Sequence, residues 1–280
     1  KRVDIGDFEV IKQLHGVIYE DILSSTGKIR FDANNNDYKI AYKIDDSLIK
    51  GKEQAIAVNI VTSEHPSFES EKMLLAQNMG GTELMAILPD QDRLHDLIRN
   101  FLKTDLYIRQ NSGSEDDALE SILAARSRQN STRRQELQLV AEEQLRKAKL
   151  VVNGETLTVG TGESKSRFSK ACQVLIRSAY PKLSMIRGVF NEDSISKVVK
   201  EQDDLLNASL IQLSEAENEV FVEIDRQQKG GQLISAEELV HKFENRPYGW
   251  SHWATLTFIG RLYRLGKIEL RDKELLSDNV

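Results

Sequence analysis

The stretch Gly160-Thr-Gly-Glu-Ser-Lys165-Ser166 lies between a strand pattern and a helix pattern, where a phosphate-cradling loop would sit. A loop of the G-x-x-x-x-G-K-[S/T] kind needs glycine directly before the lysine, so that backbone N–H groups can approach the phosphates. Here Ser164 precedes Lys165, Val159 stands at the first glycine position, and Glu163 would repel phosphate. The stretch therefore reads as a hairpin exit and a helix start. Residual phosphate or nucleic-acid contact is left to Lys165 and Ser166. Leu84-Met-Ala-Ile-Leu88-Pro89-Asp90 resembles the apolar strand plus Asp that holds magnesium in nucleotide hydrolases, but Pro89 intervenes and no phosphate loop partners it. It reads as a core strand followed by a capping Asp90.

Metal and acid–base constellations fare no better. Asp90, Asp92, His95 and Asp96 are clustered, yet carboxylates in a first helical turn are already favoured by the helix dipole. No second His or Cys has ligand spacing. A metal-dependent nuclease built on Asp90, Asp92 and Asp96 is thus the least supported class. The run Asp32–Asp37 fails as a calcium loop: its sixth position is not Gly, and Lys43 stands where the bidentate Glu belongs. His15, His65, His241 and His252 are scattered, and Cys172 lies among Val174 and Leu175 as a core residue. The expectation is no catalytic residue, no metal and no cofactor in this segment.

Binding chemistry is carried by the C-terminal part. Ser214 precedes a helix pattern over 215–228. Ser235 and Glu238 form a capping box before 236–244, and Leu233-Ile234 reads as a short strand. In Asn245-Arg-Pro-Tyr-Gly-Trp250, Pro247 cannot continue a helix and Gly249 permits positive φ. Ser251 then caps a helix whose Trp253, Leu256, Ile259, Leu262 and Tyr263 recur at three- and four-residue spacing. Gly266 closes it, and 267–270 alternates like a strand. Helix, strand, helix, turn, helix, strand is the order of a winged helix. If its third helix reads duplex DNA, His252, Thr255, Arg261 and Arg264 are the outward candidates, with Lys267, Arg271 and Lys273 on the wing. Residues 214–280 hold twelve Asp/Glu against nine Lys/Arg, a net of −3. A dedicated DNA reader is usually basic, so DNA contact and protein docking both stay open.

The elements before it define the rest. Helix patterns over 8–24, 68–79 and 91–109 alternate with strands at 28–31, 38–44, 55–61 and 84–88, giving a mixed α/β domain over 1–111. Residues 115–149 are dense in good helix formers. They predict either one long helix crossing solvent or two helices broken near Asn130-Ser131, and residues 112–149 form the second part. Asn153-Gly154 between 150–152 and 156–159 is a hairpin signal. Helices over 164–179 and 191–201, the latter capped by Asp193-Ser194, complete a third part, 150–213, of which 202–213 is a linker. The fourth part, 214–280, is the winged helix, and the fold class is α+β.

Composition sets outer limits. Net charge is −6 over 280 residues, with 40% hydrophobic and 29% charged residues. That argues against a generally basic nucleic-acid-coating protein. A single cysteine permits no internal disulfide and fits a reducing cytoplasm. No run is long and apolar enough for a membrane span. The chain begins Lys1-Arg2-Val3-Asp4 without Met, as expected of a fragment of something larger.

Glu244-Asn-Arg-Pro-Tyr-Gly-Trp250, Trp253-Ala254 and Arg264-Leu-Gly-Lys-Ile-Glu-Leu270 together resemble a pattern near the end of the BrxC/PglY proteins of BREX phage-exclusion systems. Lys28-Ile-Arg-Phe-Asp-Ala-Asn-Asn-Asn-Asp-Tyr-Lys-Ile, Ser63-Glu-His-Pro, Ile87-Leu-Pro-Asp90 and Asp105-Leu-Tyr-Ile-Arg-Gln110 are similar to the central part of the same proteins. The resemblance implies an AAA-like ATPase acting with a DNA methyltransferase and other BREX proteins, and its phosphate loop lies upstream of this segment. ATP and magnesium are thus implied for the parent family only. What it implies here is a non-catalytic region for assembly and for DNA or partner engagement. The alternative is a pure protein–protein scaffold, and self-association is left open.

Overall fold

The computed structural model describes residues 5–52, 56–89, 93–112, 117–160, 162–200 and 212–271. It divides into two compact units, residues 1–30 with 37–178, and residues 31–36 with 179–280. The segments expected as separate parts over 112–149 and at the start of 150–213 lie in the first unit with residues 1–30 and 37–111.

The first unit is built on one sheet of β1 (Lys28–Phe31), β2 (Asn36–Ile44), β3 (Ser47–Lys50), β4 (Ile56–Val61), β5 (Glu83–Ile87), β6 (Lys149–Val152) and β7 (Glu155–Thr156). Its order is β1-β2-β4-β5-β6-β7, with β3 paired to β2. β2, β4 and β5 are mutually parallel, while β6 is antiparallel to β5. All six residues of β4 are buried, as a parallel strand covered on both faces requires. Its one polar residue, Asn59, donates to Asp46 Oδ1 at 2.7 Å and to Glu83 Oε1 at 3.0 Å. Glu83 also pairs with Lys43 at 2.7 Å, so the buried amide is satisfied. One core cluster joins Val61, Leu74, Met85 and Val151 with Phe68, Leu75 and Ile87.

Two turns set the strand registers. Asn153-Gly154 takes φ of 54° and 75° between β6 and β7, as a two-residue hairpin of the primed type demands. Asp45-Asp46 does the same between β2 and β3, at 46° and 65°. The hairpin at Asp45-Asp46 is absent from the sequence reading.

Helices cover the sheet. α1 (Asp7–His15) continues as a π-helical segment, Gly16–Ile22, where a single α-helix is predicted. The buried Tyr19 hydroxyl there meets the carbonyls of Lys43 and Val58 at 2.8 and 3.0 Å. α2 is Glu71–Gln77 and α3 is Arg93–Asn111. α4 is unbroken from Asp117 to Lys147, so no break occurs near Asn130-Ser131. Asn130 instead starts the buried part of α4: its Nδ2 donates to the Phe101 carbonyl of α3 at 3.2 Å, and Arg133 donates to Thr104 at 2.8 Å. A buried amide with a partner on the neighbouring helix has no reason to interrupt its own. α5 (Ser164–Ala179) follows and buries Cys172.

From Ala179 on, the described residues of the second unit are helical: a 3₁₀ turn at Pro181–Met185, α6 (Glu192–Lys200), α7 (Glu215–Lys229), α8 (Ala236–Glu244) and α9 (His252–Arg264). Asn191, not Asp193, caps α6. Its side-chain oxygen accepts from the N–H and the hydroxyl of Ser194. α7 and α8 carry the Ser214/Glu217 and Ser235/Glu238 capping boxes. Neither Leu233-Ile234 nor 267–270 forms a strand. Leu233 is 67% and Leu270 56% exposed, and alternation without a ladder partner does not make a strand. The linker expected over 202–213 lies, up to residue 211, outside the described residues. No helix among the described residues is long and apolar enough to cross a membrane.

Candidate functional site

The turn before α9 is an aromatic block. Phe243 stacks on Trp250 at 4.6 Å, Tyr248 meets Trp250 edge-on at 5.1 Å, and Trp250 meets Phe258 at 5.7 Å. The Trp250 indole donates to the Lys182 carbonyl at 3.1 Å. Tyr248 and Lys182 both reach Glu219 at 2.8 Å, and the ammonium lies over the Tyr248 ring. The ammonium's hydrogen bond holds the Glu219 carboxyl below its ordinary range. Gly249 at φ 63° has no room for a side chain, because a Cβ would stand 2.5 Å from Tyr180 Cδ1. Ser251 then caps α9 through Ala254 N–H at 3.2 Å. The turn that the sequence singles out therefore aims α9.

α9 is packed on several sides, which scatters the predicted DNA-reading set. Thr255 is fully buried and points inward; that corrects its placement among the outward residues. Arg261, its own side chain 43% exposed, is paired with Glu217, 2.8 Å away, whose side chain is 2% exposed. Arg264 donates to the Val198 carbonyl of α6. His252, Lys267 and Arg271 are exposed, the last paired with Glu269 at 3.2 Å. Lys273 lies outside the described residues. Trp253 and Tyr263, predicted on the core face, are 37% and 53% exposed. The exposed side chains of α9 are therefore His252, Trp253 and Tyr263, with Leu256 half-buried between them. Glu217 went unread as a site residue; its spacing three residues after the cap Ser214 was the signal that could have found it.

Elsewhere the candidate constellations do not assemble. Lys165 and Ser166 are exposed at the start of α5. Its first turn is already met by Glu142, which accepts from the Ser164 hydroxyl at 2.9 Å. A carboxylate seated there opposes a phosphate. Asp90 and Asp92 lie outside the described residues, while His95 is buried and Asp96 exposed. Among the described residues no three His, Cys, Asp or Glu side chains are grouped to hold a metal ion. One polar knot does form, after β2 and β4. Asp45 accepts from Thr62 N–H and Oγ at 2.7 Å. Buried His65 accepts from Ser67 N–H on Nδ1 and meets Asp46 from Nε2 at 2.8 Å. These contacts fasten the loop after β4 to itself and to the Asp45-Asp46 turn. Cys172 is buried and its thiol is pushed up to about 12 by desolvation, which makes it inert.

An α+β sheet unit followed by helices in winged-helix order defines the class. Residues 3–175 match the family model described as the BREX ATP-binding protein BrxC 4th domain with six-stranded beta sheet. Residues 182–278 match the BREX ATP-binding protein BrxC winged helix-turn-helix domain. The chain belongs to the BrxC family of BREX ATP-binding proteins. No solved structure gives a significant match.

Proposed function

We propose that this chain is a non-catalytic region of a BREX ATP-binding protein and that its winged helix docks on another BREX protein. The observation that carries this is the open side of α9. It presents His252, Trp253 and Tyr263 around half-buried Leu256, while Arg261 and Arg264 are engaged by Glu217 and the Val198 carbonyl. Exposed aromatic side chains with few free cations suit a protein interface better than a phosphate backbone. Family membership supports other BREX subunits as the partners, the DNA methyltransferase among them, and the single buried thiol suits a cytoplasmic setting.

Co-purification with co-expressed BREX subunits tests the reading. Tyr263→Glu with His252→Glu should abolish capture while leaving the unfolding free energy within about 1 kcal/mol, because both side chains are exposed. Undiminished capture by that variant would sink it. Duplex-DNA contact is the second reading, favoured by exposed Lys267, Arg271 and His252 around α9. It predicts salt-sensitive binding of an arbitrary duplex, and no binding at low salt would count against it.

A further inference from the structure

We propose that the outer face of α4, over residues 117–128, pairs antiparallel with the same face of a second copy of this chain.

The side of α4 that meets α3 and the core is fixed by buried Asn130, bonded to the Phe101 carbonyl, and by buried Leu137. Leu119 and Leu123 share that stripe by helical periodicity and are half-buried. Residues 117, 121, 124 and 128 share the opposite stripe. All four, Asp117, Ser121, Ala124 and Arg128, are exposed. A polar helical stretch with no buried residue is marginal until something packs on it.

The order of charges selects a second copy as that partner. Residues 117–123 carry Asp117 and Glu120 and no cation, whereas residues 124–129 carry Arg126 and Arg128 and no anion. Among the described residues neither Asp117 nor Arg128 has an ion-pair partner. The helix dipole accounts for an acid in the first turn, but not for an arginine further along the same stripe. A face that runs from acidic to basic complements itself when the copy runs the other way. Centred between residues 122 and 123, the pairing sets Asp117 against the copy's Arg128 and Ser121 against the copy's Ala124. The two-fold repeats both contacts. Small side chains in the middle let the two helices approach closely. The contact is short, at the low end of specific interfaces, so the association is weak and concentration-dependent.

The test uses the whole chain, whose one cysteine, Cys172, is buried and leaves a clean background for cross-linking. Ser121→Cys would stand about 5–6 Å from its symmetry mate, Cα to Cα, at an interaxial distance of about 8 Å, within disulfide reach. Leu139→Cys, on the same helix and 73% exposed, would stand about 50 Å from its mate. Under mild oxidant the first should give a covalent dimer on a non-reducing gel and the second should not. In sedimentation the chain should self-associate as concentration rises. Asp117→Arg and Arg128→Asp should each weaken that at least about tenfold. An equimolar mixture of the two should regain it, because every facing pair is then of opposite sign. A mixture no better than its parts overturns the antiparallel pairing. Self-association that ignores both reversals, or equal cross-linking from 121 and 139, places the contact elsewhere and overturns it too. A chain monomeric at every concentration overturns the proposal and leaves this face to a different protein.

Discussion

Gly249→Ala is the sharpest perturbation of the turn that aims α9. Gly249 and Gly266 share a φ of 63°, so alanine carries the same left-handed penalty at both, about 1–2 kcal/mol. Their surroundings differ. Nothing lies within 4 Å of a Cβ at Gly266, whereas at Gly249 it would stand 2.5, 2.6 and 3.1 Å from Cδ1, Cγ and Cβ of Tyr180. These atoms belong to the root of a side chain and its ring, which cannot swing away as a flexible tip does. Forcing a methyl into such a site costs about a further 1–3 kcal/mol. Gly249→Ala should therefore destabilise the second unit by about 2–5 kcal/mol, and Gly266→Ala by about 1–2 kcal/mol. Urea unfolding followed by tryptophan emission reads that unit alone, since both tryptophans of the chain, Trp250 and Trp253, lie in it. Equal losses in the two variants would refute the steric argument and reduce the turn to a matter of backbone conformation.

Three other outcomes follow from the geometry. Burial alone would raise the carboxyl of Glu223, but hydrogen bonds from Arg226, Lys242 and Gln227 hold it down at about 2, against 4.5 ordinarily. A depressed carboxylate contributes stability above its unfolded pKa and loses it as pH falls through the folded one. Glu223→Gln should thus lower stability near neutrality by up to about 3 kcal/mol, a gap that narrows between pH 4.5 and 2; a pH-independent gap in urea midpoints would contradict this. Arg261→Ala should destabilise the second unit by about 1–3 kcal/mol, because the buried Glu217 carboxylate loses its half-exposed cation and keeps only the Ser214 N–H. Arg261→Met with Glu217→Gln should restore most of that, and an unharmed single variant would show Arg261 free for other work. Cys172 should resist iodoacetamide in the folded chain at mild alkaline pH and react once urea unfolds it; rapid native labelling would argue against its burial.

What the sequence made legible was local. Helix starts at Ser214, Ser235 and Ser251 and the turn at Asn153-Gly154 depend on residues within a few positions, and each stands in the structure as read. Strand pairing depends on distant segments. The parallel β2-β4-β5 core shows in the unbroken apolar run of β4, but its order does not. Asp45-Asp46 is no glycine turn, so β3 escaped notice. Residues 267–270 have the alternation of a strand and lack a described partner, so pattern alone misled. At the candidate interface the error was of the same kind. Arg261 and Arg264 read as free cations because periodicity supposes one buried stripe, whereas α9 is packed by α6, α7 and α8. Their partners, Glu217 and the Val198 carbonyl, lie far away in the chain.

The unbroken α4 has a mechanical consequence. Its 31 residues span about 46 Å at 1.5 Å per residue, and only Ala148 separates its last residue from β6. From Asp117 to Gln129 none of its side chains is buried. The helix is thus a stiff shaft that runs along α3 and is rooted in the sheet at its C-terminal end. A torque applied near Asp117 has no loop within the helix in which to dissipate. It is delivered to β6 and, through the ladder at Val151 and Met85, to the parallel strands of the core.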